Sequence, residues 1–106
     1  MTPQPGKVWL ADLGLAAKTR PVVIVSRPDP DPPRSLVLYV PLTTQARHSR
    51  YEVAVPKLGF LDYESVANAQ GLGSLPIARL ERRLERLPDD VVAEIRRALA
   101  FALDLS

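Results

Sequence analysis

Pro21-Val22-Val23-Ile24-Val25 is a short run of apolar, largely β-branched residues with nothing polar on either face. A strand of that composition belongs in the middle of a sheet, covered on both sides. Working outward, Val8 to Leu13, with Trp9 inside it, is a strand on the N-terminal side. Leu36-Val37-Leu38-Tyr39-Val40 is another of the doubly covered kind on the C-terminal side. The segment between them, Arg27-Pro28-Asp29-Pro30-Asp31-Pro32-Pro33-Arg34, is too rich in proline to continue a ladder and reads as a connection. Tyr51, Val53 and Val55 alternate with Glu52 and Ala54, which predicts a strand with one wetter face. Ser65 to Gln70 is a further strand, closed by Gly71 and Gly73.

Two helical signals follow. Ile77, Leu80, Leu84 and Leu87 are spaced as one face of a helix from Pro76 to Leu87, with Arg79, Glu81, Arg82, Arg83, Glu85 and Arg86 as its solvated side. The second signal is cleaner. Pro88 fits the first helical position, and Asp89 and Asp90 oppose the helix dipole in the first turn. Val91, Val92, Ile95, Ala98, Leu99, Ala102 and Leu103 then form an apolar stripe. Short strands ending in one helix predict a mainly β fold, a small barrel or open sheet with the helix packed on it, as a single domain over residues 1–106.

Composition narrows the function. The chain has 106 residues and no cysteine, which removes disulfides, thiolate metal sites and Cys nucleophiles and suits a reducing compartment. No apolar run is long enough to span a bilayer, and Met1 to Gly6 lacks the pattern of a signal peptide, so a cytoplasmic protein is expected. Net charge is +2, a weak pointer to nucleic acid. Eleven of the 14 basic residues are Arg, with Lys only at Lys7, Lys18 and Lys57. The guanidinium fork fits phosphate, although a GC-rich genome gives the same bias.

Absences narrow it further. His48 is the single histidine, so no two histidines share acid and base roles within one protomer. Asp29 and Asp31 sit among prolines and read as a surface turn rather than a metal site. No nucleotide-binding glycine motif and no nucleophile elbow occurs. What remains is Arg20 at the mouth of one strand and the hydroxyls of Thr43 and Thr44 at the end of another. If those strands are antiparallel neighbours, Arg20 and Thr43 face one pocket. Taken alone, the same residues are also an Arg reaching solvent and threonines in a turn, and that plainer reading is the default.

A resemblance changes the balance. Gly6-Lys7-Val8-Trp9-Leu10-Ala11-Asp12-Leu13 resembles the opening of the PemK/MazF toxins. Thr19-Arg20-Pro21-Val22-Val23-Ile24-Val25-Ser26 and Val40-Pro41-Leu42-Thr43-Thr44-Gln45 are similar to that family's next two blocks. Tyr51-Glu52-Val53, then Ser65, Gln70 and Arg79-Leu80, follow in the family's order. Each block is short; their order and spacing carry the likeness over almost the whole chain.

The resemblance implies an SH3-like barrel with a C-terminal helix, usually a homodimer. It also implies a turn and then a strand after Arg79-Leu80, against the helical spacing of Pro76 to Leu87. It further implies the toxin of a type II toxin–antitoxin pair, a sequence-specific endoribonuclease acting on single-stranded RNA without metal or cofactor. In that chemistry the 2′-hydroxyl attacks the adjacent phosphorus and the 5′-oxygen leaves, giving a cyclic phosphate. The family's catalytic Arg falls on Arg20 and its catalytic Thr on Thr43. Lys18, Thr44, Gln45, Arg47 and Arg50, with His48 among them, are the expected RNA-contacting neighbours, each of which also reads as an ordinary loop residue. An acidic antitoxin segment that folds on binding is the expected partner. The connection Gly14-Leu15-Ala16-Ala17-Lys18-Thr19 is shorter than the family's usual loop, which leaves gating and antitoxin mode open. Two rivals are a non-enzymatic gyrase poison of the CcdB kind and a catalytically dead binding module. The first acts through a Trp-containing tail, whereas this chain ends Phe101-Ala102-Leu103-Asp104-Leu105-Ser106 and has its one Trp at Trp9.

Overall fold

The computed structural model describes residues 2–14, 19–59, 61 and 64–105. Their elements run β1 (Lys7–Asp12), β2 (Thr19–Ile24), β3 (Leu36–Thr43), β4 (Glu52–Val55), β5 (Ser65–Asn68), a 3-10 turn (Ala69–Gly71), β6 (Gly73–Pro76), a second 3-10 turn (Ile77–Arg79), β7 (Leu80–Arg86) and α1 (Asp89–Ala102). The fold is mainly β, with antiparallel pairings and one helix at the C-terminal end. Strand order is β4-β5-β3-β2-β1-β7, with β6 added onto β3.

Val22, Val23 and Ile24 are all buried, so β2 is covered on both faces as its composition requires. It lies between β1, where Val8 faces Val23, and β3, where Val40 faces Val23. On the side of β3 away from β2, Leu36 to Tyr39 pair with β6, and Leu42 and Thr43 pair with β5. Pro41 has no N–H to give a ladder. It falls between those two pairings, where no donor is required.

The alternation of strand side chains divides the interior in two. Val8, Val23, Val40, Leu42, Val53 and Val55 join Val91, Ile95 and Ala98 of α1 in one cluster. Trp9, Ala11, Val22, Ile24, Val37, Leu75 and Leu80 form the other, on the opposite face of the same strands. Asp89 and Asp90 stand in the first turn of α1, and Arg86 pairs with Asp89. That pair is open to solvent and contributes at most about 1 kcal/mol. Burying Ile95 contributes more, roughly 1.5–3 kcal/mol. The helix ends where Asp104 turns left-handed at φ 57°. There the Leu105 N–H bonds the Ala100 carbonyl and the Asp104 N–H bonds that of Phe101.

Five elements differ from the sequence reading. Gly73–Pro76, where that reading places no strand, forms β6 and pairs with β3. Pro76 to Leu87 is not a helix: a 3-10 turn leads into β7, as the resemblance implied. Pairing with β1 overrides the spacing of its leucines, and register shifts let Leu80 reach one core while Leu84 packs on the other. Leu36 and Leu38 are 41% and 45% exposed, so the first half of β3 is not doubly covered. Strand β5 stops at Asn68, whose side chain caps the following turn. Pro88 takes the position before the helix, with ψ 149°, rather than its first turn.

Gly71 packs against β3 so closely that an added Cβ lies 2.6 Å from Pro41 Cγ. Gly71→Ala is therefore expected to lower stability by about 1–3 kcal/mol, measured by thermal or urea unfolding.

Candidate active site

One row of residues crosses the sheet. Leu80 on β7 faces Ala11 on β1, and Ala11 faces Arg20 on β2. The β2–β3 register ends at the pair Val22 and Pro41, and Arg20 and Thr43 each lie two residues beyond that pair on their own strands. Thr43 in turn faces Val66 on β5, and Val66 faces Ala54 on β4. Residues opposed across a ladder share a face of the sheet. By strand alternation Arg20 and Thr43 fall on one face at one end of the fold, with Arg20 exposed and Thr43 half-buried, but Arg20 is not among the described residues that line the cavity at Thr43.

Thr43 lines an open cavity of about 490 Å³ with Gln45, Arg47, Asn68 and Gln70. Its Oγ1 accepts a hydrogen bond of 3.1 Å from the Gln45 N–H. That bond fixes the hydroxyl oxygen and leaves the hydroxyl proton to donate elsewhere. A guanidinium and a free O–H donor on one face suit a group that gathers negative charge, such as a phosphoryl group under attack.

The loop after Thr43 is organised by one carboxylate. Glu52 Oε2 accepts from the Arg47 N–H at 2.8 Å, and Oε1 accepts from the Ser49 N–H and hydroxyl at 2.8 and 3.0 Å. The backbone N–H groups of Arg47 and Ser49 hold the Glu52 carboxyl below its usual value against an opposing cost of desolvation, with the Ser49 hydroxyl and His48 adding lesser lowering effects.

The neighbours expected from sequence separate along this loop. Gln45 and Arg47 share the cavity with Thr43. Thr44 and His48 line a second cavity of about 700 Å³, with Glu64, Asp90 and Glu94. Arg50 lies over the ring of Phe101, 3.9 Å from its centroid, beside the Tyr51–Phe101 ring contact. His48 is exposed in the loop with φ 55°. Lys18 lies outside the described residues. Asp29 Oδ1 accepts from the Asp31 N–H, so that pair closes a turn.

Glu52 and Asn68 were not singled out from sequence as site residues. The spacing Ser49-x-x-Glu52 is a signal for the first, because a Glu three residues after a Ser commonly returns to that residue's backbone N–H. Asn68, two residues before Gln70 and three before Gly71, carries a turn signal, but its place beside Thr43 depends on the β3–β5 register.

Residues 4–103 match the sequence model of the family described as the PemK-like, MazF-like toxins of type II toxin–antitoxin systems, and the chain belongs to that family. It is 33% identical over 105 residues to the Mycobacterium tuberculosis protein named "Probable endoribonuclease MazF5", an alignment covering 98% of this chain and 95% of that protein. Among solved structures it is similar to the Mycobacterium tuberculosis toxin MazF-mt6, with TM-score 0.82, 28% identity and coverage of 94% of this chain and 98% of that one. It is also similar to a mycobacterial endoribonuclease in complex with its cognate antitoxin, with TM-score 0.83, 29% identity and coverage of 98% and 97%.

Because the folded-state value of Glu52 is lowered, its contribution is full above the usual glutamate value near 4.5 and is lost as pH falls through the lower folded value. NMR titration is expected to move the Arg47 and Ser49 amide signals together with a midpoint below 4.5. Glu52→Gln abolishes that joint titration.

Proposed function

We propose that this chain is the toxin of a type II toxin–antitoxin pair and cuts single-stranded RNA without a metal ion, with Arg20 and Thr43 as its catalytic residues. The observation that supports the reading is the β2–β3 register, whose last pair, Val22 and Pro41, leaves Arg20 and Thr43 each two residues further along at the same end. Family membership and the naming of the tuberculosis relative as an endoribonuclease support the reaction class.

The reaction follows from the groups available. The ribose 2′-oxygen attacks phosphorus as its proton passes to solvent water, the P–O5′ bond breaks, and the departing 5′-oxygen takes a proton from water. The products are a 2′,3′-cyclic phosphate and a 5′-hydroxyl. Charge gathers on the non-bridging oxygens, where the Arg20 fork and the Thr43 O–H donate. A guanidinium keeps its proton at neutral pH, so Arg20 acts by stabilising charge. Gln45 and Arg47 hold the strand beside Thr43. Thr44, Arg50 and Lys18 belong to the same RNA-contacting stretch, with Arg50 approaching from its stack on Phe101. The working form is a cytoplasmic homodimer, silenced by an antitoxin segment.

Excess EDTA with a long mixed-sequence RNA tests this. Wild type is expected to cut at a few sites, leaving cyclic-phosphate ends. Arg20→Ala and Thr43→Ala each lower the rate by about 10²–10³-fold while keeping the melting temperature. A folded protein that cuts nothing over varied sequences overturns the reading in favour of a binding module. A cleavage rate that stays level between pH 6 and 8 is expected of Arg20 as charge stabiliser; a bell-shaped profile there assigns it proton transfer instead.

A further inference from the structure

Asn68 shares the cavity of Thr43 and stands on the same face of the sheet, one pleat repeat along. The β4–β5 ladder pairs it with Glu52. Two residues of strand rise separate the Thr43 row from the Asn68 row, roughly 7 Å. That is close enough for a base to enter beside a phosphate held at Thr43.

The orientation of its amide is fixed chemically. The Gln70 backbone N–H donates to Asn68 Oδ1 at 3.1 Å. An N–H can bond only an acceptor, so the oxygen faces the backbone and the Nδ2 amine is the end left over. Nδ2 lies beside Gly71, 3.4 Å from the point a Cβ would occupy there. Asn68 Oδ1 is thus held by the Gln70 N–H, and the Nδ2 donors are the uncommitted end of the amide.

Gln45, Gln70, Ser49 and Tyr51 on the same lining can each donate or accept, so Asn68 is singled out by the fixed sense of its amide. Arg47 brings donors only. Glu52 is the cavity's carboxylate, and three of its roughly four lone-pair positions are taken by Arg47 and Ser49. An exocyclic amine entering at Asn68 Nδ2 finds a donor facing a donor. A keto oxygen, O4 of uracil or O6 of guanine, finds partners.

We infer that Asn68 is a specificity-determining residue, its Nδ2 amine selecting a keto base, uracil or guanine, next to the phosphate at Thr43. The inference rests on the nuclease reading above for its substrate, and its test is separable from that reading. Asn68→Asp keeps the cap, because a carboxylate oxygen also accepts from the Gln70 N–H, and it turns the outward donor into an acceptor.

The experiment compares wild type, Asn68→Asp and Asn68→Ala on a randomised RNA pool, reading the base frequencies around each cut. Binding of short fluorescent oligo(U) and oligo(C) is measured beside it, with thermal unfolding as a control on fold. Wild type is expected to favour U or G over C or A at one position by about tenfold. Asn68→Asp inverts that preference towards C or A, and Asn68→Ala flattens it. The same inversion is expected in the ratio of oligo(U) to oligo(C) affinity. A folded Asn68→Asp protein with an unchanged base profile overturns the inference and leaves Asn68 a turn cap. If wild type cuts nothing but prefers oligo(U), and Asn68→Asp inverts that, base reading stands and the nuclease falls. If wild type binds the two oligonucleotides alike and shows no keto preference in cleavage, the inference fails whatever the nuclease result.

Discussion

Strand β3 has to satisfy three neighbours at once, and most of the structure follows from how it does so. One edge pairs with β2. The other edge pairs first with β6 and then with β5. A strand cannot bond two partners at one point on one edge, so the handover needs a position that asks for no donor. Pro41 is that position. The Gly71 backbone closes on its ring, with no room for a Cβ. This junction brings the end of β5 and the turn that follows it beside the end of β3, and it is there that Thr43 meets Asn68 and Gln70.

The β2–β3 register fixes the other half of the site. A slip of one residue would turn Arg20 to the opposite face from Thr43, and it would also carry Val22 and Val23 into each other's cores. The two hydrophobic clusters on either side of β2 therefore hold the geometry of exposed polar groups at its end. Packing at Val22, Val23, Ile24 and Val40 and alignment at Arg20 and Thr43 are one constraint, with energy supplied by the buried part.

Beyond Thr43 the chain leaves the sheet without losing definition. Glu52, the first residue of β4, reaches back to the Arg47 and Ser49 amides, so the loop is anchored by the strand it enters. Successive residues then face opposite ways: Thr43, Gln45 and Arg47 into one cavity, Thr44, Ala46 and His48 into the other. The second cavity is lined by Glu64, Asp90 and Glu94 together with Lys57. Arg50 ends the loop on Phe101 and ties it to α1.

The sequence alone determined what depends on local chemistry. The β-branched run of β2 could be nothing but a central strand, the prolines after Arg27 could not join a ladder, and the stripe from Val91 to Ala102 could only be a helix on a core. Arg20 and Thr43 stood out because other catalytic groups were missing and their segments resembled those of known toxins. Tertiary structure decided whatever depends on a partner strand. Leu80 to Arg86 carry helical spacing and become a strand because β1 offers them an edge. Leu36 and Leu38 look like core and stand half in solvent, because the helix covers only part of β3's length. Thr43 and Thr44 are neighbours in sequence and face separate cavities, because the ladder ends between them. Asn68 joins Thr43 only through the β3–β5 register, a pairing between segments more than twenty residues apart that no local pattern encodes.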